Sequence, residues 1–136
     1  MSKTVLSIED DDAVEMLLQI AFREVMSDFQ LFRVCNGEQG LAFLRRTGTY
    51  ADVPRPDLVL LNVNMPGMSG LEVLEQMNKD ERLRDIPTVV FTSSQMDQDR
   101  ARCLALGARD FISKPSTFDG LLAAVKTACA HASQRA

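Results

Sequence analysis

Acidic, amide, hydroxyl and amine side chains stand at the ends of four short apolar segments of this sequence. The members of this set are Glu9 with Asp10, Asn62, Thr92 and Lys114. Short apolar segments bounded by polar sequence are typical of buried strands, and parallel strands end at a common edge of their sheet. In open α/β folds, ligand binding and catalysis take place at that edge. We therefore expect two carboxylates, an amide, a hydroxyl and an ammonium group to converge in one site.

The segment DLVLLNVNMPGMSG, residues 57–70, is central to this arrangement. Its apolar run, residues 58–61, predicts a strand that is buried on both faces. The residues from Asn62 onward are typical of a turn. Ser69 and Glu72 have the spacing of a capping box, which predicts a helix that runs to about Asn78.

Strand and helix patterns alternate along the whole chain. Predicted strands cover residues 4–8, 29–34, 58–61, 88–92 and 110–113, and predicted helices cover residues 12–26, 40–46, 69–78, 96–106 and 117–132. Residues 47–56 contain two prolines, which predicts an irregular loop. Because right-handed crossovers join parallel strands, the alternation predicts a three-layer α/β fold with helices on both faces of a parallel sheet. We expect the flavodoxin-like strand order 2-1-3-4-5.

Length, composition and charge narrow the class of protein. The 136 residues predict one domain, and the 46% hydrophobic and 25% charged residues are typical of a globular protein. The net charge of -4 argues against general binding to nucleic acid or anionic membranes. Neither a membrane-spanning segment nor a signal peptide is visible, and the three cysteines predict reduced, core or half-buried thiols of a cytoplasmic protein. The single histidine, His131, is expected to have no partner.

In order and spacing, these motifs resemble the receiver domain of two-component response regulators over essentially the whole chain. Glu9 and Asp10 resemble the acidic pair of that family, and residues 64–70 resemble the loop after the phosphoacceptor. Further positions match the switch hydroxyl, the aromatic switch residue, and the lysine followed by a cis-proline: Thr92, Phe111, Lys114 and Pro115. The stretches FLRRTGTYADVPRPDLVLL and DERLRDIPTVVFTSS resemble the single-domain regulators that partner phytochrome-type histidine kinases.

The chain departs from the family at Asn62, where the resemblance implies an aspartate that accepts a phosphoryl group. A carboxylate can attack the phosphorus of a phosphohistidine, whereas a neutral amide is a poor nucleophile. The resemblance also implies a Mg²⁺ site formed by Glu9, Asp10, position 62 and the backbone carbonyl of Asn64. Because Asn62 removes one ligand charge, we expect Mg²⁺ binding to weaken and phosphorylation at residue 62 to be lost.

Each residue also has a plainer interpretation. The acidic run could merely cap the first helix, Thr92 could be an ordinary strand-end residue, and Lys114 could be a solvated lysine. Three apolar residues are typical of a core: Met65, Met68 and Phe111. The receiver interpretation depends on the occurrence of all these motifs together, at the ends of the right strands.

Three functional hypotheses follow. The first is a single-domain response regulator, without an output domain, whose acceptor has been inactivated in the laboratory or in nature. The second is a receiver that naturally acts as a protein-binding module without phosphorylation. The third is a flavodoxin-like nucleotide-binding enzyme, for which the sequence offers neither a glycine-rich phosphate loop nor a nucleophile with a base. We expect a regulator and not an enzyme.

The resemblance implies protein partners. A histidine kinase, with a phytochrome as one candidate, is expected to dock on the first helix near Leu17 and Leu18. The last helix carries an apolar stripe that could support a homodimer or pack on the sheet, of which packing is favoured for most of the stripe. The stripe consists of Phe118, Leu121, Leu122, Val125 and Cys129.

Overall fold

The computed structural model of the chain describes residues 3–26, 28–93 and 97–132. Its strands are β1 (Lys3–Ile8), β2 (Phe29–Val34), β3 (Leu58–Leu61), β4 (Thr88–Thr92) and β5 (Asp110–Ser113). Its helices are α1 (Asp12–Val25), α2 (Gly37–Arg45), α3 (Gly70–Lys79), α4 (Asp97–Ala105) and α5 (Phe118–Cys129). A 3₁₀ turn, Gly48–Tyr50, lies in the segment that was predicted to be an irregular loop.

All strand pairs are parallel, and the strand order is β2-β1-β3-β4-β5. The predicted fold class and strand order are therefore confirmed. One apolar cluster joins the sheet to α2, α3 and α4, and a second joins its other face to α1 and α5. Among the described residues, no helix combines the length and the apolarity that a membrane span requires.

Helix α2 begins three residues earlier than predicted. Asn36 and Gly37 were interpreted as a turn, but Asn36 is the N-cap, since its side-chain oxygen accepts a hydrogen bond of 2.8 Å from the backbone N–H of Gln39. This cap satisfies one of the donors that a helix start leaves free. The predicted start of the fourth helix at Met96 lies outside the described residues.

Helix α1 buries one of the two leucines that were expected to lie near a docking kinase. Leu18 is buried, whereas Leu17 is 46% exposed, and the acidic residue Glu15 is 2% exposed against the sheet. Contact with α5 and the sheet determines which face of the helix is buried.

Two expectations about isolated residues are wrong. Cys35 is exposed, whereas Cys103 is buried and Cys129 is half-buried, so only the latter two fit the predicted core or half-buried thiols. His131 has a partner, since its Nε2 lies 3.2 Å from Asp110 Oδ2. Both outcomes depend on which segments meet in space, which the local sequence does not specify.

Candidate functional site at the carboxyl edge of the sheet

The parallel register brings the predicted polar residues together. Ile8 and Leu61 are paired across β1 and β3, so Glu9 and Asn62 follow at neighbouring strand ends. The N–H of Asn62 donates to the Ile8 carbonyl at 3.0 Å, and the N–H of Lys114 donates to the Thr92 carbonyl at 2.7 Å. These backbone hydrogen bonds continue the sheet into the site.

The side-chain amide of Asn62 lies at the centre of this site. Its Nδ2 donates to Glu9 Oε2 and Asp10 Oδ1, both at 3.0 Å, and lies 3.4 Å from the backbone carbonyl oxygen of Asn64. Its Oδ1 accepts from the N–H of Asn64 at 3.2 Å. The reverse orientation of the amide would point an oxygen at two carboxylates, so electrostatics holds the nitrogen in this place.

Glu9 is the buried charge of the site. Its side chain is 3% exposed, and its Oε1 lies 2.9 Å from Lys114 Nζ while Oε2 accepts from Asn62. Burying a carboxylate is costly unless it is paired and hydrogen-bonded, and Glu9 has both a counter-charge and a hydrogen bond. Asp10, by contrast, is exposed.

Thr92 closes the site on the β4 side. It is 0% exposed, and its Oγ1 lies 3.5 Å from Asn64 Nδ2. Phe111, the predicted aromatic switch residue, is 6% exposed in the core cluster on the α2–α4 face. The peptide bond between Lys114 and Pro115 is trans, so the implied cis-proline is wrong; trans is the intrinsically preferred form.

The loop between β3 and α3 allows a very close approach of backbone to Asn62. A Cβ on Gly70 would lie 2.5 Å from the Asn62 carbonyl oxygen and 2.7 Å from Val63 Cα. Helix α3 can start against the strand end only because residue 70 is glycine. Ser69 caps this helix, as predicted, by accepting from the N–H of Glu72.

Arg33 is a residue of the site that sequence reasoning missed. Its Nε donates to the backbone carbonyl of Glu9 at 3.0 Å, and its Nη1 lies 2.7 Å from Asp12 Oδ1. The guanidinium therefore joins β2 to the acidic segment after β1. No local pattern indicates this contact, because nothing in the sequence distinguishes Arg33 from Gln30, the other polar residue of β2.

The acidic run after β1 divides into separate roles. Asp10 faces Asn62, Asp11 is the N-cap of α1 through hydrogen bonds from Ala13 and Val14, and Asp12 pairs with Arg33. The plainer interpretation, a helix cap, is thus right for Asp11, while Asp10 belongs to the site.

A second buried carboxyl group, that of Glu15, lies on the face of α1 that packs against the sheet. Ser7 Oγ donates to Glu15 Oε1 at 2.7 Å, and Gln19 Nε2 lies 3.4 Å from Glu15 Oε2. Burial raises the pKa of Glu15 above its ordinary value, and the charge of Glu9 acts in the same direction, against the opposing effect of these hydrogen bonds and of Arg33.

The metal-binding capacity of the site rests on few charges. Within residues 3–26, 28–93 and 97–132, no three His, Cys, Asp or Glu side chains form a group that could hold a metal ion. Glu9 and Asp10 are two carboxylates, and the third corner is the Asn62 amide. Any cation here would depend on these two acids and on neutral oxygens such as the Asn64 carbonyl.

Comparison with known proteins identifies the family. The response regulator receiver domain model matches residues 5–126 of the chain. The chain belongs to the response regulator receiver family. The five-stranded parallel sheet and its strand order are thus those of a receiver domain.

This receiver domain is similar to regulators of phytochrome signalling. It is 32% identical over 124 residues to the response regulator Rcp1 of Synechocystis sp., covering 91% of this chain and 84% of that protein. The structure of the phosphorylated cyanobacterial phytochrome response regulator RcpA matches with a TM-score of 0.88 and 32% identity, covering 93% of this chain and 91% of that one. The Mn²⁺-bound form of Rcp1 matches with a TM-score of 0.85 and 31% identity, covering 92% and 90%.

Proposed function

We propose that this chain is a single-domain response regulator of a two-component system in which Asn62 occupies the phosphoacceptor position. It is then not phosphorylated there, and it signals by protein contact without enzymatic activity of its own. The single observation that carries the proposal is the position of the Asn62 amide, within 3.0 Å of two carboxylates at the carboxyl edge of a receiver sheet.

The chemistry of residue 62 supports the loss of phosphorylation. An aspartate at this place would present an anionic oxygen to an incoming phosphorus, beside Lys114 and Thr92, which could hold the oxygens of the transferred group. The Asn62 oxygen is neutral and accepts from the N–H of Asn64, and the nitrogen is committed to Glu9 and Asp10. Neither atom is a nucleophile of comparable strength.

The donor set fits a weakened Mg²⁺ site. Glu9 Oε2, Asp10 Oδ1 and the Asn64 carbonyl already converge on one atom, Asn62 Nδ2, and hard oxygens are the ligands that Mg²⁺ prefers. When bound, the ion would offset negative charge on phosphoryl oxygens. An amide nitrogen that carries hydrogens cannot coordinate a cation, so the Asn62 side chain would have to present its oxygen instead. The resulting loss of hydrogen bonds, together with the missing charge, is expected to weaken the ion's affinity.

The same geometry favours a second candidate, a receiver that acts as a protein-binding module without phosphorylation. Lys114 and the Asn62 amide already engage both oxygens of Glu9. The Glu9 carboxylate is therefore hydrogen-bonded and charge-compensated by the chain itself. Such a receiver could hold one conformation that a partner recognises directly.

A histidine kinase remains the proposed partner, with α1 as its docking surface. The expected contact residues need correction, since Leu18 is 1% exposed and cannot reach a partner. Leu17, the other expected contact residue, is exposed, and so are Met16 and Ile20 of the same helix. The similarity to RcpA, described as a phytochrome response regulator, supports a phytochrome-type kinase.

A homodimer through α5 and a cytoplasmic location also remain proposals. Leu121 and Val125 of the α5 stripe are buried against the sheet, as the packing interpretation expects. Phe118 is 41% exposed, and Leu122 and Cys129 are half-buried, so these three residues are available to a second subunit.

Phosphorylation by acetyl phosphate in the presence of Mg²⁺ tests the proposed function. Intact-mass measurement should find the chain unmodified and the Asn62→Asp variant phosphorylated. Asn78→Asp is a matched control, because it makes the same chemical change at an exposed residue of α3 outside the site and should remain unmodified. Stoichiometric phosphate on the unaltered chain would contradict the proposal. An inert Asn62→Asp variant would favour the binding-module candidate.

A further inference from the structure

A cavity lined by arginines lies at the opposite end of the molecule from the acidic site. Its volume is about 170 Å³, and its lining consists of Leu44, Arg45, Arg46, Arg55, Arg82 and Leu83. These residues belong to the end of α2 and to the segments before β3 and β4. They are therefore placed at the amino edge of the sheet, whereas Asn62 follows the carboxyl end of β3.

Three separate segments of the chain contribute the positive charge. The C-terminal end of α2 favours cations because of its dipole, which accounts for Arg45 and Arg46 alone. Arg55 and Arg82 come from two other loops, and Arg55 Nη1 donates to the Arg82 carbonyl at 2.6 Å, which joins these loops. The dipole of a single helix does not explain this convergence.

Two of these four guanidinium groups lie near one carboxylate. Asp80 Oδ2 lies 3.2 Å from Arg82 Nη2 and 3.8 Å from Arg45 Nε. Arg46 is exposed, and its side chain forms no hydrogen bond or ion pair with any residue that the structure describes. The cavity is thus a concentration of positive charge in a chain whose net charge is -4.

The backbone of Arg46 is a second, independent observation. Its φ of 56° and ψ of 48° are left-handed, and it is the only non-glycine residue with positive φ in the described part of the chain. Glycine is the usual residue where a helix ends in this conformation. Strained backbone of this kind is found preferentially at functional positions, and here it presents a guanidinium to the cavity.

We propose that this cavity binds the diphosphate group of a small organic phosphate. The planar guanidinium fork matches the oxygens of a phosphate and donates two hydrogen bonds to them, so several arginines suit a multiply charged group. Leu44 and Leu83 form the apolar part of the cavity wall. An adjoining cavity of about 500 Å³ shares Arg45 and Arg82 and leaves room for the organic part of the ligand. Its other lining residues are Gln76, Lys79, Asp80 and Glu81.

Calorimetric titration of the full chain with pyrophosphate in metal-free buffer tests this site. We expect saturable binding that Arg46→Gln weakens about tenfold, because one charge-assisted contact is lost. Arg46→Lys keeps the charge but not the fork and should weaken binding less. Arg23→Gln is the matched control, since Arg23 is an exposed arginine of α1, and it should leave binding unchanged.

Two further ligands test which kind of negatively charged group the cavity binds. ADP should bind at least as tightly as pyrophosphate if the adjoining cavity admits an organic group, and much weaker binding of ADP would overturn the proposal. Tighter binding of a hexaglutamate peptide than of pyrophosphate would also overturn it, in favour of an acidic protein partner. Equal weakening by Arg46→Gln and Arg23→Gln, or no saturable binding at all, would leave only general attraction between charges and refute the site.

Discussion

At the scale of single residues, a neutral amide lies at the centre of the acidic pocket. Asn62 Nδ2 donates to Glu9 and Asp10, and Lys114 balances the remaining oxygen of Glu9. An aspartate of nearly the same shape would place a third carboxylate there and remove both donated hydrogen bonds. The identity of residue 62 therefore decides both the charge and the hydrogen bonding of the pocket.

Magnesium affinity is the first expected consequence. Asn62→Asp should bind Mg²⁺ at least about tenfold more tightly than the unaltered chain, because a unit charge about 4 Å away contributes a few kcal/mol at an effective dielectric constant near 20, before water compensates. Calorimetric titration of both proteins measures this difference. Adding Asp10→Asn to the Asn62→Asp variant should weaken binding again. Equal affinities, or binding that is indifferent to Asp10, would show that the ion does not use this pocket.

The polar residues that follow the strands could be predicted to meet in one site, whereas the residues that hold them in position could not. Glu9, Asn62 and Lys114 could be placed together because parallel strands end at one edge. Arg33 could not, since its contact with the Glu9 carbonyl depends on the register between β1 and β2. The orientation of the Asn62 amide likewise follows from charges brought together only in the folded chain.

At the scale of elements, α1 buries a carboxyl group against the sheet. Glu15 has a raised pKa because of burial, so its neutral form is favoured in the folded state. Its contribution to stability is complete below its pKa in the unfolded chain, ordinarily near 4.5, and is lost as the pH rises through the folded-state pKa.

Glu15→Gln should therefore raise the urea midpoint at neutral pH relative to the unaltered chain. The gain should shrink towards pH 4, because Glu15 of the unaltered chain then becomes protonated and neutral, as glutamine is at every pH. Urea unfolding at several pH values measures the trend. Glu24→Gln, an exposed change on the same helix, should give no comparable pH-dependent difference. A gain for Glu15→Gln that grows as the pH falls would reverse the sign and contradict this account.

The start of α3 provides a second test at this scale. Gly70→Ala should destabilise the fold by about 1–3 kcal/mol, because its Cβ would meet backbone atoms of Asn62 and Val63 that cannot easily move. Gly48→Ala is a useful comparison, since Gly48 has open space around it and its φ of 61° is left-handed. Alanine in that backbone conformation costs about 1–2 kcal/mol without any steric clash. Denaturant unfolding gives both stabilities, and Mg²⁺ titration should show a change only for Gly70→Ala. Unaltered Mg²⁺ binding in that variant would contradict the coupling of α3 to the site.

Strands were predicted more accurately than helices. The bounds of β2, β3, β4 and β5 agree with the sequence prediction. Polar or proline residues flank β3, β4 and β5 on both sides, which marks their ends in the sequence. The start of α2 was missed because Asn36-Gly37 fits both a turn and a helix cap. The burial of Glu15 in α1 was not predicted, because acidic residues are almost always exposed unless they are paired.

At the scale of the whole molecule, charge is distributed between the two edges of the sheet. Acidic groups meet at the carboxyl edge, and arginines meet at the amino edge. The net charge of -4 conceals this separation. Repulsion among acids at one edge should affect the stability of the entire fold, which makes unfolding a direct probe of residue 62.

Urea unfolding of the unaltered chain and of Asn62→Asp, each with and without Mg²⁺, is the most direct test of the central claim. Without metal, the unaltered chain should be more stable by on the order of 1 kcal/mol or more, because Asn62 donates hydrogen bonds where an aspartate would repel Glu9 and Asp10. Added Mg²⁺ should narrow the difference, since it stabilises the more acidic pocket by binding the folded state. A more stable Asn62→Asp variant in metal-free buffer would contradict the central role of the Asn62 amide.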